Sequence, residues 1–257
     1  AVQVNYMDRM EITDNAFSAS HIGSFIAARL NGGEEAVISG NTANGTGLGE
    51  AFNVSGFSGS VSIRSNKIAG AGAGISIAQL SGSTQVVNNF IQVGDRNANA
   101  YAIQGSSNNN VRIVHNSLLN LSSGSSINNV GLVVYGSGSY EIQNNIIAMT
   151  GGGIVLNLSS SASYTSDYND LYDSGNTWGI WANNFRSDLA DWQSVSGLDA
   201  NSISVFPQFV SNVDLHVSQA ELKAAGTAAG VGTDIDGEPR DPLTPDIGAD
   251  EFPFTTV

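Results

Sequence analysis

The stretch Ile113-Val-His-Asn116-Ser-Leu118 is repeated 29 residues on as Ile142-Gln-Asn-Asn145-Ile-Ile147. Both share one frame: an apolar residue, two variable residues, asparagine, a variable residue, then an apolar or small one. Toward the N-terminus the frame recurs as Val86-Val-Asn-Asn89-Phe-Ile91, Ile63-Arg-Ser-Asn66-Lys-Ile68, Ile38-Ser-Gly-Asn41-Thr-Ala43 and Ile12-Thr-Asp-Asn15-Ala-Phe17. A seventh copy, Ser166-Asp-Tyr-Asn169-Asp-Leu171, is degenerate. The asparagines are 23 to 29 residues apart. A period in this range is the mark of a stacked architecture.

The content of each repeat says which kind. Apolar residues alternate, as in Val61 and Ile63, Ile75 and Ile77, or Val130, Leu132 and Val134. That is strand periodicity, with no stretch of helical spacing. Glycine, serine and asparagine fill the gaps, which is turn chemistry. One strand signal precedes each asparagine and another follows it by about ten residues, as in Gly74-Ile-Ser-Ile77 and Gly153-Ile-Val-Leu156. About 25 residues at ~3.3 Å each suit one coil of a parallel β-helix, and seven coils stacked at ~4.8 Å make a column of ~35 Å. The expected fold is therefore all-β: a single-stranded parallel β-helix (solenoid) of about seven coils with an irregular C-terminal cap. Asn15, Asn41, Asn66, Asn89, Asn116, Asn145 and Asn169 read as a structural ladder of inward side chains bonded coil to coil. Asparagine also tolerates the left-handed backbone that a sharp bend needs. A ligand-facing polar stripe would not require the same apolar neighbours each time.

The 257 residues can bury a substantial core. There is no cysteine, so neither disulfides nor thiolate metal sites are available. No apolar run approaches the length of a membrane span. The net charge of −14 is uneven: residues 1–161 carry −2 and residues 162–257 carry −12. This sign disfavours nucleic acid and anionic membranes as partners. A polyanionic sugar such as pectate or alginate would need cationic groups or bound Ca²⁺. Val2, Val4 and Tyr6 already read as strand with no helix before them. Further coils upstream, or an unusual cap, are expected, and self-association through the N-terminal end is a third reading of function. All five prolines lie from Pro207 onward, and all three tryptophans between 178 and 192. The chain is accordingly divided into coils over 1–222, the last irregular from about 176 with a helical turn at 187–195, and a cap over 223–257.

The Ile-x-x-Asn-x-Ile repeats resemble the right-handed parallel β-helix (pectate-lyase-like) superfamily over about residues 1–175. The runs Phe206-Pro-Gln-Phe-Val210, Asp214-Leu-His-Val217, Thr233-Asp-Ile-Asp-Gly-Glu-Pro-Arg240 and Pro245-Asp-Ile-Gly-Ala-Asp-Glu251 resemble the choice-of-anchor C-terminal domain of bacterial surface and secreted β-helix proteins. Right-handed coiling and an extracellular or cell-surface location in a bacterium are what these resemblances imply. They do not imply one reaction. The Asp-Asp pair and the Gly-His-Gly of polygalacturonase-type enzymes are absent.

Candidate functional residues are therefore few. Of the nine basic residues, Arg64 and Lys67, with Arg96 or Arg112 on later coils, could approach one face. A lyase would need such a base beside bound Ca²⁺. Glu141 one coil after Arg112 is placed for a cross-coil ion pair. Tyr164, Tyr168, Tyr172, Trp178, Trp181 and Trp192 could stack on sugar rings, or could plug the column where the regular coils stop; the plug is the preferred reading. Asp234 and Asp236 open a sequence like the start of a Ca²⁺ loop but lack the rest of it. No cofactor is required, and Ca²⁺ there is the one candidate. The preferred reading is instead a glycine turn at Asp236-Gly237, with Arg240 paired to Asp246 or Asp250. His21, His115 and His216 share no spacing and read as bend residues rather than metal ligands.

The function expected is a non-catalytic secreted or cell-surface segment of a larger bacterial protein. It would present a flat face for glycan or partner binding, with polysaccharide as the candidate partner and no nucleic acid. The alternative is a carbohydrate-active enzyme, a polysaccharide lyase or glycoside hydrolase. No catalytic residue can be named.

Overall fold

A computed structural model describes residues 1–20, 25–94, 100–123, 127–175 and 177–252. His21 and Arg96 lie outside the described residues. The chain forms a parallel β-solenoid of about seven turns with an irregular C-terminal region. Each turn contributes to three faces. The first holds the strands that lead into the asparagines, such as Val61–Arg64 and Thr84–Val87. The second holds the strands that leave them, such as Phe90–Val93, Ser117–Asn120 and Ile146–Met149. The third is built from strands such as Leu48–Phe57, Ala73–Ala78 and Ile154–Leu158. In the middle of the column the long strands Ala100–Val114 and Asn129–Gln143 run through the third face and around into the first.

Stacking is in register, so like residues pile on like. Ile12, Ile38, Ile63, Val86, Ile113 and Ile142 form one inward column on the first face. Phe17, Ala43, Ile68, Ile91, Leu118, Ile147 and Leu171 form another on the second. Their burial is the hydrophobic drive of the fold, and a register slip would turn each set outward.

Between these columns runs the asparagine ladder. The backbone N–H and Nδ2 of Asn116 both donate to Asn145 Oδ1, each at 3.0 Å. Nδ2 also reaches Val86 O in the preceding coil at 2.8 Å and Val114 O at 3.2 Å. Its Oδ1 accepts from Asn89 N and Nδ2 at 3.1 and 2.9 Å. The same contacts link each successive pair from Asn15 to Asn169. One detail differs from the sequence reading. The left-handed residue is not the asparagine but its predecessor: Asp14, Gly40, Ser65, Asn88, His115, Asn144 and Tyr168 have φ between +52° and +66°. The bend thus takes two residues, one coiled left-handed and one reaching inward.

The ladder ends where the seventh copy departs from the frame. Asn169 N donates to Ser202 Oγ (2.9 Å) and Asn169 Nδ2 to Asp199 Oδ1 (3.1 Å). Asp199 is 1 % exposed and also accepts from Ser166 Oγ, Ser202 Oγ and Trp192 Nε1. Ser166 replaces the usual isoleucine because a buried carboxylate lies against it and needs donors. Trp192 is delivered by the helix Leu189–Ser196, close to the turn expected at 187–195. That helix is capped by Asp188, whose side chain accepts from Asp191 N, and ends at Gly197 with φ +71°.

The C-terminal region, expected as an end cap, lies along the side of the column. Leu215, Ile235 and Ala249 cover the outward residues Phe90, Leu119 and Ala148 of the second face. Val217, Leu222 and Ile247 cover Ile146. Gly248 has φ +106°, and a β-carbon there would come within 2.6 Å of Ile146.

Asn116→Ala removes a buried ladder rung and leaves Val86 O and the Asn89 N–H without their partners. At roughly 1–3 kcal/mol per orphaned buried group, the variant should lose at least ~2 kcal/mol of stability. Asn15→Ala, at the exposed first rung, should lose under ~1 kcal/mol. Urea midpoints of the two variants against the parent check this gradient.

Candidate functional site

The bend residues that precede the ladder asparagines face outward, and in three consecutive coils they hold the C-terminal region. Asn88 Nδ2 donates to Thr233 O (2.7 Å), and Asn88 Oδ1 accepts from Arg240 (3.1 Å). Asn144 pairs with Thr227 in both directions, at 2.7 and 2.9 Å. His115 lies between them, fully buried. Its Nδ1 is 3.2 Å from Gly248 O, and Asn144 Nδ2 is 3.0 Å from its Nε2. A carbonyl can only accept and an amide N–H₂ can only donate, so the imidazole is the neutral Nδ1–H tautomer. Burial, reinforced by the nearby Arg240 charge, holds its pKa down to about 3. Arg112 adds a fourth anchor, Nη2 to Ala229 O at 2.7 Å.

This docking makes a cleft. The first-face residues Ser62, Arg64, Gln85 and Val87 form its floor, and Gly230, Val231 and Thr233 overhang it, enclosing about 350 Å³. Arg64 and Arg112 both line it, so the structure does bring these two sequence candidates together. Their states differ. Arg112 is engaged bidentately by Glu141 at 2.8 and 2.9 Å, the expected cross-coil pair, which raises its pKa further. The Arg64 guanidinium is exposed and makes no hydrogen bond among the described residues. Lys67 is on the second face and goes elsewhere, to Asp236 at 3.0 Å. A smaller groove of about 290 Å³ continues past Arg112 and Glu141 to Tyr140 and Tyr164.

The aromatic candidates form a stack rather than a platform. Tyr164 lies on Tyr140 with ring centres 5.9 Å apart, and its hydroxyl donates to Ser159 O. Trp181 touches Tyr164 and Trp192, and Trp178 touches Trp192. Trp178 and Trp192 are 4 % and 0 % exposed, and Trp181 is half-buried. Burial raises the Tyr164 pKa. Tyr172 packs edge-on against Phe206, and Tyr168 is a half-buried bend residue.

The Asp234-Asp236 segment is the expected glycine turn, with Gly237 at φ +89°. Asp234 is 3 % exposed and its carboxylate accepts from the N–H groups of Asp236, Glu238 and Glu251. It is committed to the backbone. Asp236 points away toward Lys67 and His216. The expected pairing of Arg240 with Asp246 or Asp250 does not form. Arg240 pairs with Glu251 at 3.2 Å, while Lys223 takes Asp246 at 2.9 Å. The sequence had no way to show that Asp250 folds toward His216 instead.

Two further acids were not singled out from the sequence. Asp170 occupies the first second-face position after the last ladder asparagine. It is fully buried, accepts from Val205 N through Oδ1, and has no partner on Oδ2. Burial pushes its pKa up to about 8. Asp199 is the ladder terminator. Neither opens to the cleft. Compared with known proteins, the chain matches no protein-family model, no curated protein and no solved structure.

His115 binds no proton in the folded chain until about pH 3, whereas the unfolded chain protonates it near 6.5. Its contribution to stability is present above ~6.5 and is lost as pH falls toward 3. His115→Gln should flatten part of that decline. Thermal midpoints of variant and parent between pH 7 and pH 4 should converge on acidification.

Proposed function

We propose that this chain is a non-catalytic, secreted or cell-surface β-helix segment of a larger bacterial protein, and that it binds glycan in the cleft beside Arg64. The observation that carries the reading is a guanidinium without a hydrogen-bond partner among the described residues, set in a polar cleft beside the Gln85 amide and the Ser62 hydroxyl. Such a group suits a carboxylated or otherwise acidic sugar, the class that the net charge of the chain would otherwise repel. The likenesses to the pectate-lyase-like superfamily and to the choice-of-anchor domain support the same reading, since they point to an extracellular setting.

The alternative, a polysaccharide lyase or glycoside hydrolase, needs acid and base groups at the scissile bond. Of the acids whose pKa values rise by burial along the column, Asp170 and Asp199 are 0 % and 1 % exposed, and both carboxylate oxygens of Asp173 are buried, so a substrate could not reach them. Glu141, which lines the adjoining smaller groove, is held by Arg112. These features favour binding over turnover.

A panel of neutral and acidic polysaccharides, with and without Ca²⁺, tests the reading. Saturable binding to an acidic glycan is expected, weakened ~10-fold or more by Arg64→Ala, which leaves the core untouched. New reducing ends or ultraviolet-absorbing unsaturated products would overturn it. Binding that is indifferent to Arg64→Ala would place the site elsewhere.

A further inference from the structure

Three separated parts of the C-terminal region meet over Phe90: the Asp214-Leu-His216 turn, the Asp236-Gly237 turn and Asp250. Ligand atoms of His216, Asp236 and Asp250 all lie within 4.8 Å of one another. His216 Nε2 is 2.6 Å from Asp236 Oδ2, and His216 Nδ1 is hydrogen-bonded to Asp214 Oδ1. The Phe90 ring stands edge-on to the imidazole at 4.9 Å and forms an apolar wall.

Two observations point to a cation. The first is Asp214. A carboxylate that takes the Nδ1–H of a histidine fixes the ring and leaves Nε2 as the donor to a metal. Here Nε2 is the nitrogen that meets Asp236 Oδ2, with a ligand atom of Asp250 in the same cluster. The second is Asp250. It is 7 % exposed, yet its one hydrogen bond among the described residues is a 3.5 Å contact from Val217 N–H to Oδ2. Its Oδ1 receives no hydrogen bond among the described residues and keeps only slight contact with solvent. A carboxylate so far out of water is destabilised until a positive charge reaches it. Lys67 does not serve it, because its Nζ sits on Asp236 Oδ1.

We propose that His216 Nε2, Asp236 Oδ2 and Asp250 bind one divalent transition-metal ion of the zinc type, with Asp214 positioning the imidazole. One nitrogen and two carboxylate oxygens, with water as the fourth ligand, suit tetrahedral Zn²⁺. Ca²⁺ would want about six to eight oxygens and gains little from imidazole. Metal bonds of ~2.0–2.2 Å at a tetrahedral angle place donors ~3.3–3.5 Å apart. Asp236 must therefore retreat from His216 by under ~1 Å. It can do so, because it is exposed and lies on the turn at Gly237. Lys67 on its other oxygen keeps it monodentate. Without the ion, a proton on Nε2 bridges His216 to Asp236; metal entry releases that proton to solvent.

The test is calorimetric titration of metal-stripped protein with ZnCl₂, alongside thermal unfolding. One ion per chain is expected, with a dissociation constant in the micromolar range or tighter. The unfolding midpoint should rise and return on adding EDTA. The binding enthalpy should vary with buffer, as proton release requires, and CaCl₂ at equal concentration should have no such effect. Asp250→Asn and His216→Ala should each weaken Zn²⁺ binding at least ~10-fold, and Asp214→Asn by ~10–100-fold at unchanged stoichiometry. Far-ultraviolet circular dichroism separates lost binding from lost fold. Should a variant not fold, the Co²⁺ absorption spectrum of the unmutated protein decides: intense visible bands of a low-coordinate site support the proposal, and the weak spectrum of hydrated Co²⁺ overturns it. Absence of saturable one-to-one binding also overturns it, as does binding that survives Asp250→Asn and His216→Ala. None of these measurements involves Arg64, so their failure leaves the glycan reading standing, and the reverse holds too.

Discussion

Everything in this molecule hangs on a two-residue bend. A parallel coil must turn sharply between its first and second faces, and a turn inside a column strands backbone groups where no water can reach them. The asparagine answers this by spending its amide on three partners. It bonds the next asparagine, a carbonyl one coil back and a carbonyl two residues back. The residue before it absorbs the left-handed φ. Because the two residues are adjacent, one faces in and the other faces out. The inward one sets the stacking register, and the outward one is free to vary: Asp, Gly, Ser, Asn, His, Asn and Tyr in successive coils.

That freedom is where the C-terminal region is recruited. Asn88, His115 and Asn144, on neighbouring coils, present amide or imidazole groups at regular spacing along one edge. The chain returning past them is irregular and has few strand partners for its own backbone. Its acids supply the missing acceptors. Asp234 takes three N–H groups, Asp246 those of Ala224 and Phe252, and Glu251 those of Asp241 and Asp246. The negative charge concentrated after residue 162 is thus largely a structural device: carboxylates cap backbone that has no ladder.

This division explains what could be read from the sequence. The solenoid and its register were legible because each coil repeats one local pattern of apolar alternation and asparagine. Contacts between coils follow from that pattern, as the Arg112–Glu141 pair shows. A helical turn at 187–195 was expected, and the structure places the helix at Leu189–Ser196. The path of residues 203–252 was not, because its contacts span more than a hundred residues and obey no period. Arg240 meets Asn88 across 152 positions, and His115 meets Gly248 across 133. The same applies to the site. Arg64 and Arg112 shared a face by periodicity, but the wall that makes a cleft of that face comes from Gly230 to Thr233. His216 read as a bend residue within the run Asp214-Leu-His-Val217, and nothing local pointed it at Asp236 and Asp250.

The cleft and the metal cluster are consequently parts of one construction. The overhang at Gly230–Thr233 has little packing of its own; glycines at 230 and 232 have open space around them. It is held at one end by Arg112 and Asn144, through Ala229 and Thr227, and at the other by Asn88 through Thr233. Immediately beyond Thr233 the chain enters the Asp234–Gly237 turn, and Asp236 at its tip reaches His216 and Lys67. An ion shared by His216, Asp236 and Asp250 would tie this turn to two other parts of the C-terminal region, over a wall, Phe90, that belongs to the column. That turn is only a few residues from the lip of the cleft beside Arg64. The outward bend residues therefore locate the C-terminal region, and the contacts of Asp236 with His216 and Lys67 hold the turn that adjoins the edge of the cleft.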